Sequence, residues 1–212
     1  MKGRGVVGII ATQSDLAEGA RHLVALDPRF APVVAAGPLP MRRIPDGFPA
    51  LVSAIVGQQV STASAAAIRG RLEAAGLMSE AAVAGASDEA LRGCGLSRPK
   101  LRYLRALAAA GIDWRALRDA GTEEVVAVLT EVPGIGRWTA EIYAKFALGH
   151  ADAFAAGDLA LQEAARRLFG LEARPSERDL RAMAEAWRPV RAVAARALWV
   201  YYRWDSGREG VL

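Results

Sequence analysis

The stretch Leu-Thr-Glu-Val-Pro-Gly-Ile-Gly-Arg-Trp, residues 129–138, leaves the chain few ways to fold, because it must end one helix, turn within a few residues and start another. Ahead of it, Thr122 is placed to cap a helix with Glu123 and Glu124 in its first turn and Val125, Val126 and Leu129 as its apolar stripe. Pro133, which lacks an N–H, stops that helix. Gly134 and Gly136 allow a sharp bend and a bare backbone that another molecule can approach closely. A helix resumes at about Arg137. Its apolar positions are Ala140, Ile142, Tyr143, Phe146 and Ala147, and Arg137, Glu141 and Lys145 recur at i, i+4, i+8 on the face expected to meet water.

Such a helix-hairpin-helix offers free amides beside the positive end of its second helix, a place for a nucleic-acid phosphate that needs no base-specific side chain. Pro-Gly-Ile-Gly alone would read equally as an ordinary αα-corner. Charge distribution favours the phosphate reading. The net charge is only +4, from 27 basic and 23 acidic residues, but residues 92–118 hold seven basic residues and one acid, Asp113. Such a patch is an electrostatic footprint for phosphate. A solvated face on an ordinary helix remains the alternative for it.

With 52% hydrophobic residues in 212, the chain can bury a substantial core. Its single cysteine, Cys94, rules out an internal disulfide and a Cys-rich zinc or iron–sulfur site, and suits a reducing cytoplasm. Residues 6–11 are apolar but far too short to span a bilayer, so no membrane partner is expected.

Residues 1–46 read as a lead-in packed on the rest: one helix from Ser14 or Asp15 to about Leu26, then a proline-punctuated linker to Asp46, whose carboxylate is placed to cap the next helix. Residues 47–212 read as the core domain, with the hairpin at about 129–140. Helical spacing recurs at Phe48, Leu51, Val52, Ile55 and Val56, is interrupted by Gly57-Gln58-Gln59, and restarts at Ser61 or Thr62. Short helices over 81–84 and 88–92 lead to Gly93-Cys94-Gly95-Leu96, and a long helix follows Ser97 with Arg98, Arg102 and Arg105 along one side. This resembles a degenerate copy of the main hairpin. Residues 149–157 read as a loop, Asp158 opens a helix ended by Gly170, Ser176 introduces another through Trp187, and a last helix starts near Pro189. No β-alternation is evident, so the fold class is all-α, multi-helical and two-lobed.

Asp158 is the carboxylate best placed for chemistry. It follows Trp138 by 20 residues, enough for a helix and a returning loop. Asp before an apolar helical run is also an ordinary N-cap, and the two roles are compatible: capping amides would hold the carboxylate ionised and aimed. Trp138 and Trp199 read as core by spacing, or as flat faces for an extruded, electron-poor base. His22 and His150 stand apart from any carboxylate pair at metal spacing and read as structural.

Four blocks in order carry a specific resemblance: Leu-Val-Ser-Ala-Ile-Val-Gly-Gln-Gln-Val-Ser at 51–61, Val-Pro-Gly-Ile-Gly-Arg-Trp-Thr-Ala at 132–140, Asp152-Ala-Phe154 with Asp158, and Trp187-Arg-Pro-Val-Arg191 with Trp199. Together they resemble the helix-hairpin-helix DNA glycosylases of the HhH-GPD superfamily, in particular the 3-methyladenine DNA glycosylase II branch. The resemblance covers about residues 48–204. It implies base excision repair: duplex DNA carrying a damaged base is kinked, an alkylated purine is flipped out, and Asp158 assists hydrolysis of its N-glycosidic bond. A cationic base leaves without much protonation, so one carboxylate suffices where ordinary glycosidases use two.

The resemblance also assigns Trp138, Trp199, Ile142 and Leu159 to the base pocket and places Gln58 and Gln59 at the DNA, where the hairpin residues Gly134, Ile135, Gly136, Arg137 and Thr139 and the basic cluster Arg98, Lys100 and Arg102 are the expected phosphate contacts. Ile142 and Leu159 replace pocket tyrosines, Gln59 replaces a leucine wedge, and an N-terminal β domain of longer relatives is expected to be missing. Trp138 stands where lyase-active relatives carry a catalytic lysine, which implies a monofunctional enzyme. No cofactor is required, although the family's hairpin can hold Na+ or K+ on backbone carbonyls, here Thr130, Val132 and Ile135. A monomer in the cytoplasm, associated with the nucleoid through DNA, is the expected form. Uracil, hypoxanthine or etheno adducts as substrates, and a non-catalytic DNA-binding module, are the alternatives.

Overall fold

The computed structural model describes residues 8–206. Among them are thirteen α-helices: α1 (Gln13–Leu26), α2 (Ala31–Ala35), α3 (Phe48–Gly57), α4 (Thr62–Ala74), α5 (Glu80–Gly85), α6 (Asp88–Gly93), α7 (Arg98–Ala109), α8 (Trp114–Asp119), α9 (Thr122–Thr130), α10 (Arg137–Tyr143), α11 (Leu159–Leu168), α12 (Glu177–Ala184) and α13 (Arg191–Ser206). The only β feature among the described residues is an isolated antiparallel bridge between Ile9 and His150. The all-α reading is correct. The sequence expectation divides the chain at residue 46, whereas the contacts divide the described residues at two points: one compact unit is residues 44–143, and the other combines residues 8–43 with 144–206.

In the 44–143 unit the helix starts are written by serines. Ser61, Ser79 and Ser87 each accept the amide three residues on, offsetting donors that a helix leaves open. Asp113 does the same for α8, a helix the sequence reading missed, through the amides of Arg115 and Ala116. Arg105 binds α5 to α7 through the carbonyls of Val83 and Ala86 and through Asp88, the last at 3.0 Å. Two caps differ from expectation. Gly47, at φ +80°, precedes α3 with its N–H on the Tyr143 hydroxyl at 2.9 Å, and Asp46 instead pairs with Arg118. Gly121 precedes α9, so Thr122 is its first residue rather than its cap.

The other unit is built on α13. Ala192, Ala194, Ala195 and Ala197 are fully buried there, and their small side chains let α11, with Ala164 and Ala165, pack closely. Gly19 of α1 meets the same helix: a Cβ at that position would lie 2.8 Å from Val193 Cγ2. α1 itself starts with a reciprocal capping box, Thr12 with Asp15. The stretch after α1, expected to be linker, instead begins with a 3₁₀ turn (Pro28–Phe30) and α2, which carry Pro28 and Pro32 in their first turns, where a helix needs no N–H from proline. Trp187 sits fully buried among the rings of Phe30, Phe154 and Phe169, centroids 5.3–5.8 Å away.

Candidate active site and nucleic-acid interface

The hairpin forms as expected between α9 and α10. Val132 and Ile135 are its buried anchors, and Ile135 N–H closes the turn on the Val132 carbonyl at 3.0 Å. Gly134 is required twice over: its φ is +91°, and a Cβ there would stand 2.2 Å from the Tyr103 ring. Gly136 has open space around it, with its carbonyl accepting the first helical bond from Ala140 N–H at 3.1 Å. The weaker copy at 93–97 bends the same way, with Gly95 at φ +94° and Leu96 buried as the counterpart of Ile135.

The structure redistributes several of the expected contact residues. Lys100 is a correction: it is buried, and its ammonium donates to the Val56 carbonyl at 2.7 Å, satisfying the C-terminal turn of α3. It is spent inside the unit and leaves Arg98 and Arg102, both exposed, as the accessible cations of that cluster. Gln58 donates its amide to the Gly134 carbonyl at 2.9 Å and so braces the hairpin. Gln59 is exposed, at φ +54°, the only non-glycine at positive φ among the described residues. Arg137 is held by Glu141 at 2.9 Å and Glu123 at 2.8 Å, and Thr139 is buried, so neither side chain is open to a phosphate. The expected wet face of α10 is also corrected: Glu141 is 2% exposed and Lys145 1%. Arg137, on the same period, is exposed, so the period alone does not mark a wet face: the end of α10 and the turn after it, where Lys145 lies, are covered. Trp138, by contrast, is 46% exposed, and Ile142 is half-buried.

In the other unit Asp158 caps α11. Its Oδ1 accepts the amides of Ala160 at 2.9 Å and Leu161 at 3.4 Å, and its Oδ2 faces the indole N–H of Trp199 at 3.4 Å. Among the described residues no lysine or arginine pairs with it. The loop ahead is stiffened by Gln162, which donates to the Ala156 carbonyl at 2.9 Å, and by the Asp158 amide on the Ala155 carbonyl at 3.1 Å. Tyr202 meets Trp199 edge to face at 6.1 Å. Neither Gln162 nor Tyr202 carries a sequence signal beyond helical spacing. Leu159, next to the carboxylate, is 62% exposed. The arrangement is a fixed, half-buried carboxylate with unspent charge, flanked by an indole and an exposed aliphatic side chain, and it suits stabilising a cation that forms beside it.

Two of the quoted sequence blocks hold each other. Asp152 receives Arg191 in a two-point contact at 2.8 and 2.9 Å and Arg188 at 3.1 Å. Arg191 is buried and is also held by Glu185 at 2.7 Å, so its charge is matched on two sides. Their role is therefore to hold the loop before Asp158. His150 is buried, with its pKa lowered by desolvation. No group of three or more His, Cys, Asp or Glu residues that could hold a metal ion occurs among the described residues, and none of their helices is long and apolar enough to cross a membrane.

The fold with these two sites matches a known family. The HhH-GPD superfamily of base excision DNA repair proteins matches residues 52–189, and the chain belongs to that superfamily. The crystal structure of a DNA-3-methyladenine glycosidase from Bacillus halodurans superposes with a TM-score of 0.81 at 32% identity, over 90% of this chain and 91% of that one. A 3-methyladenine DNA glycosylase of Schizosaccharomyces pombe, solved with abasic DNA, gives 0.74 at 27% identity, over 86% and 95%. The alkylbase DNA glycosidase-like protein mag2 of the same yeast is 25% identical over 203 residues, 90% of this chain and 95% of that protein.

Proposed function

We propose that the protein is a monofunctional DNA glycosylase that flips alkylated purines of the 3-methyladenine and 7-methylguanine type out of duplex DNA and hydrolyses their N-glycosidic bond. The observation that carries this reading is Asp158, immobilised by two backbone amides while no cation cancels its charge. As the bond to a positively charged base breaks, the sugar acquires oxocarbenium character, and a fixed carboxylate stabilises it without reorganising. The same carboxylate orients or deprotonates the attacking water. Beside Asp158, Trp199 supplies a π face for the cationic base and Leu159 an aliphatic wall, and Trp138 and Ile142 offer surfaces of the same two kinds in the 44–143 unit. Gln59 fills the vacated stack, a task for which its exposed, strained backbone position is suited.

The hairpin amides at Gly134 and Gly136 bind backbone phosphate, that of Ile135 being spent on the Val132 carbonyl, with Arg98 and Arg102 gripping the strand elsewhere. The carbonyls of Thr130, Val132 and Ile135 are neutral oxygen donors of the kind that hold Na+ or K+. The Thr130 hydroxyl is turned back to the Val126 carbonyl at 2.8 Å and takes no part. Lyase chemistry needs a free lysine, and the two lysines among the described residues, Lys100 and Lys145, are both buried. The active species is a monomer on damaged duplex DNA.

The test is a panel of duplexes carrying methylated purines, uracil, hypoxanthine or etheno adducts, with free base detected by mass spectrometry. Methylated purines should be released, leaving abasic sites that stay unbroken until alkali is added. Release of a different base alone would reassign the substrate. Release of no base, with duplex binding retained, would reduce the protein to a DNA-binding module.

A further inference from the structure

Phe146 gathers three cations around one ring. The centroid lies 4.5 Å from Lys145 Nζ, 4.7 Å from Arg42 Cζ and 5.2 Å from Arg196 Cζ. Each is drawn to the π face, but like charges so close repel one another where water is excluded. Arg43, nearby in sequence, spends its guanidinium on the carbonyls of Ile10 and Ala147 at 2.9 and 2.8 Å. Arg196 is 4% exposed. Its Nη1 donates to the Ala192 carbonyl one turn back at 3.0 Å, while Nε and Nη2 are buried with no hydrogen-bond partner. Desolvation, reinforced by the charges of Arg43 and Arg42, pulls its pKa down to about 10.

The two unspent donors form the edge of the guanidinium on which Nε–H and Nη2–H run parallel. Elsewhere in the same unit that edge takes an anion at two points. Arg29 holds Asp27 with Nε and Nη2 at 2.8 and 2.7 Å, and Arg191 holds Asp152 with the same atoms at 2.8 and 2.9 Å. Arg196 presents an equal fork with no carboxylate on it. We propose that Arg196 and Arg42, over the Phe146 ring, form a binding site for a phosphate-class oxyanion. Two of its oxygens take the Arg196 fork, and a third, an ester oxygen in a phosphodiester, stands out of the fork's plane for Arg42, which a planar carboxylate could not offer. Arg42 is exposed, over the same ring, and its long flexible side chain can close on an anion seated on the fork. The oxyanion is either inorganic phosphate or a phosphodiester of bound nucleic acid.

Thermal unfolding of the full chain in sodium phosphate and in sodium chloride at equal ionic strength tests the site. The midpoint should rise with the logarithm of phosphate concentration and not with chloride, because a ligand held only by the folded state stabilises it by mass action. Arg196→Met, similar in volume but without donors, should abolish the phosphate-specific rise, and Arg42→Gln should weaken phosphate binding by roughly ten-fold in calorimetric titration. Should Arg196→Met fail to fold, Arg196→Lys keeps the charge, loses the fork and should weaken binding likewise. Equal effects of the two salts on the parent, or a phosphate-specific rise unchanged in the Arg196 variants, would overturn the proposal. Anisotropy of an undamaged duplex then separates the sources. Phosphate that competes with duplex in the parent but not in the Arg196 variants assigns the site to a DNA phosphodiester, and duplex binding equal in both salts assigns it to free phosphate.

Discussion

Asp27 and Asp158 stand at the same place in their local structures. Each precedes a helical turn, each accepts a backbone amide on Oδ1, and each has an indole N–H directed at Oδ2, from Trp187 at 3.0 Å and from Trp199 at 3.4 Å. They differ in what cancels their charge. Arg29 lies on Asp27 in a two-point contact, and Asp27 is buried with its indole in the aromatic core. Asp158 has no such cation, is only half-buried, and has exposed Leu159 beside it. A carboxylate whose charge is already matched contributes to stability. One held equally firmly but left unmatched can respond to a positive charge that develops during a reaction. Firm positioning is therefore common to both sites, and unspent charge is what separates them.

The largest effect should come from removing each charge. Asn caps a helix about as well as Asp, so neither substitution should disturb its helix start. Asp158→Asn should lower base release by roughly 10²–10⁴-fold while leaving abasic-site binding intact or tighter, as measured by single-turnover assay and anisotropy. Asp27→Asn should leave the rate unchanged and lower the unfolding temperature. Equal activity of Asp158→Asn and parent would end the catalytic assignment.

The two indoles come next. Trp187→Phe removes a donor and volume from a closed core and should cost roughly 2–4 kcal/mol in denaturant unfolding, with little change in rate. Trp199→Phe keeps a flat face but loses the N–H. It should slow base release by about five- to ten-fold, the roughly 1 kcal/mol worth of one long hydrogen bond, and barely move the unfolding midpoint.

Acid should sharpen the contrast further. The Arg29 side chain above all, and then the Trp187 indole, hold Asp27 below its ordinary 3.8, against the opposing effect of burial. A carboxylate depressed in the folded state contributes stability above its unfolded pKa and loses it as pH falls through the folded value. The stability gap between parent and Asp27→Asn should therefore be widest near neutrality and close below about pH 3.8. A gap that widened in acid would contradict the pairing.

The smallest effect extends the comparison to cations. Lys100 is spent on the Val56 carbonyl, whereas Arg98 and Arg102 are exposed. Arg98→Gln with Arg102→Gln should flatten the slope of log affinity against log salt by about two units, equally for damaged and undamaged duplexes. Lys100→Met should leave the slope alone and change only thermal stability.

Much of this molecule is determined locally, by residues within a few positions of one another. The serine and aspartate caps, the apolar stripes of α3 and α9, and the turn at Pro133-Gly134-Ile135-Gly136 each follow from hydrogen bonds and sterics that span one helical turn. Asp158 as a helix-opening carboxylate and the hairpin as a bare-backbone turn were legible for that reason. Short helices introduced by proline, α2 among them, were not, because the same residue breaks a helix in its interior and begins one at its edge.

Only the tertiary structure decided which charges are spent. Lys100 meets its carbonyl across 44 positions of sequence, Trp199 reaches Asp158 across 41, and Trp187 reaches Asp27 across 160. Glu141 and Lys145 keep a solvent-facing period and are buried nonetheless. Periodicity reports which side of a helix a residue occupies, but what covers that side depends on partners from distant parts of the chain. Whether a cation binds phosphate or caps a helix, and whether a carboxylate is neutralised or left open, is settled by long-range contacts that no short window of sequence contains.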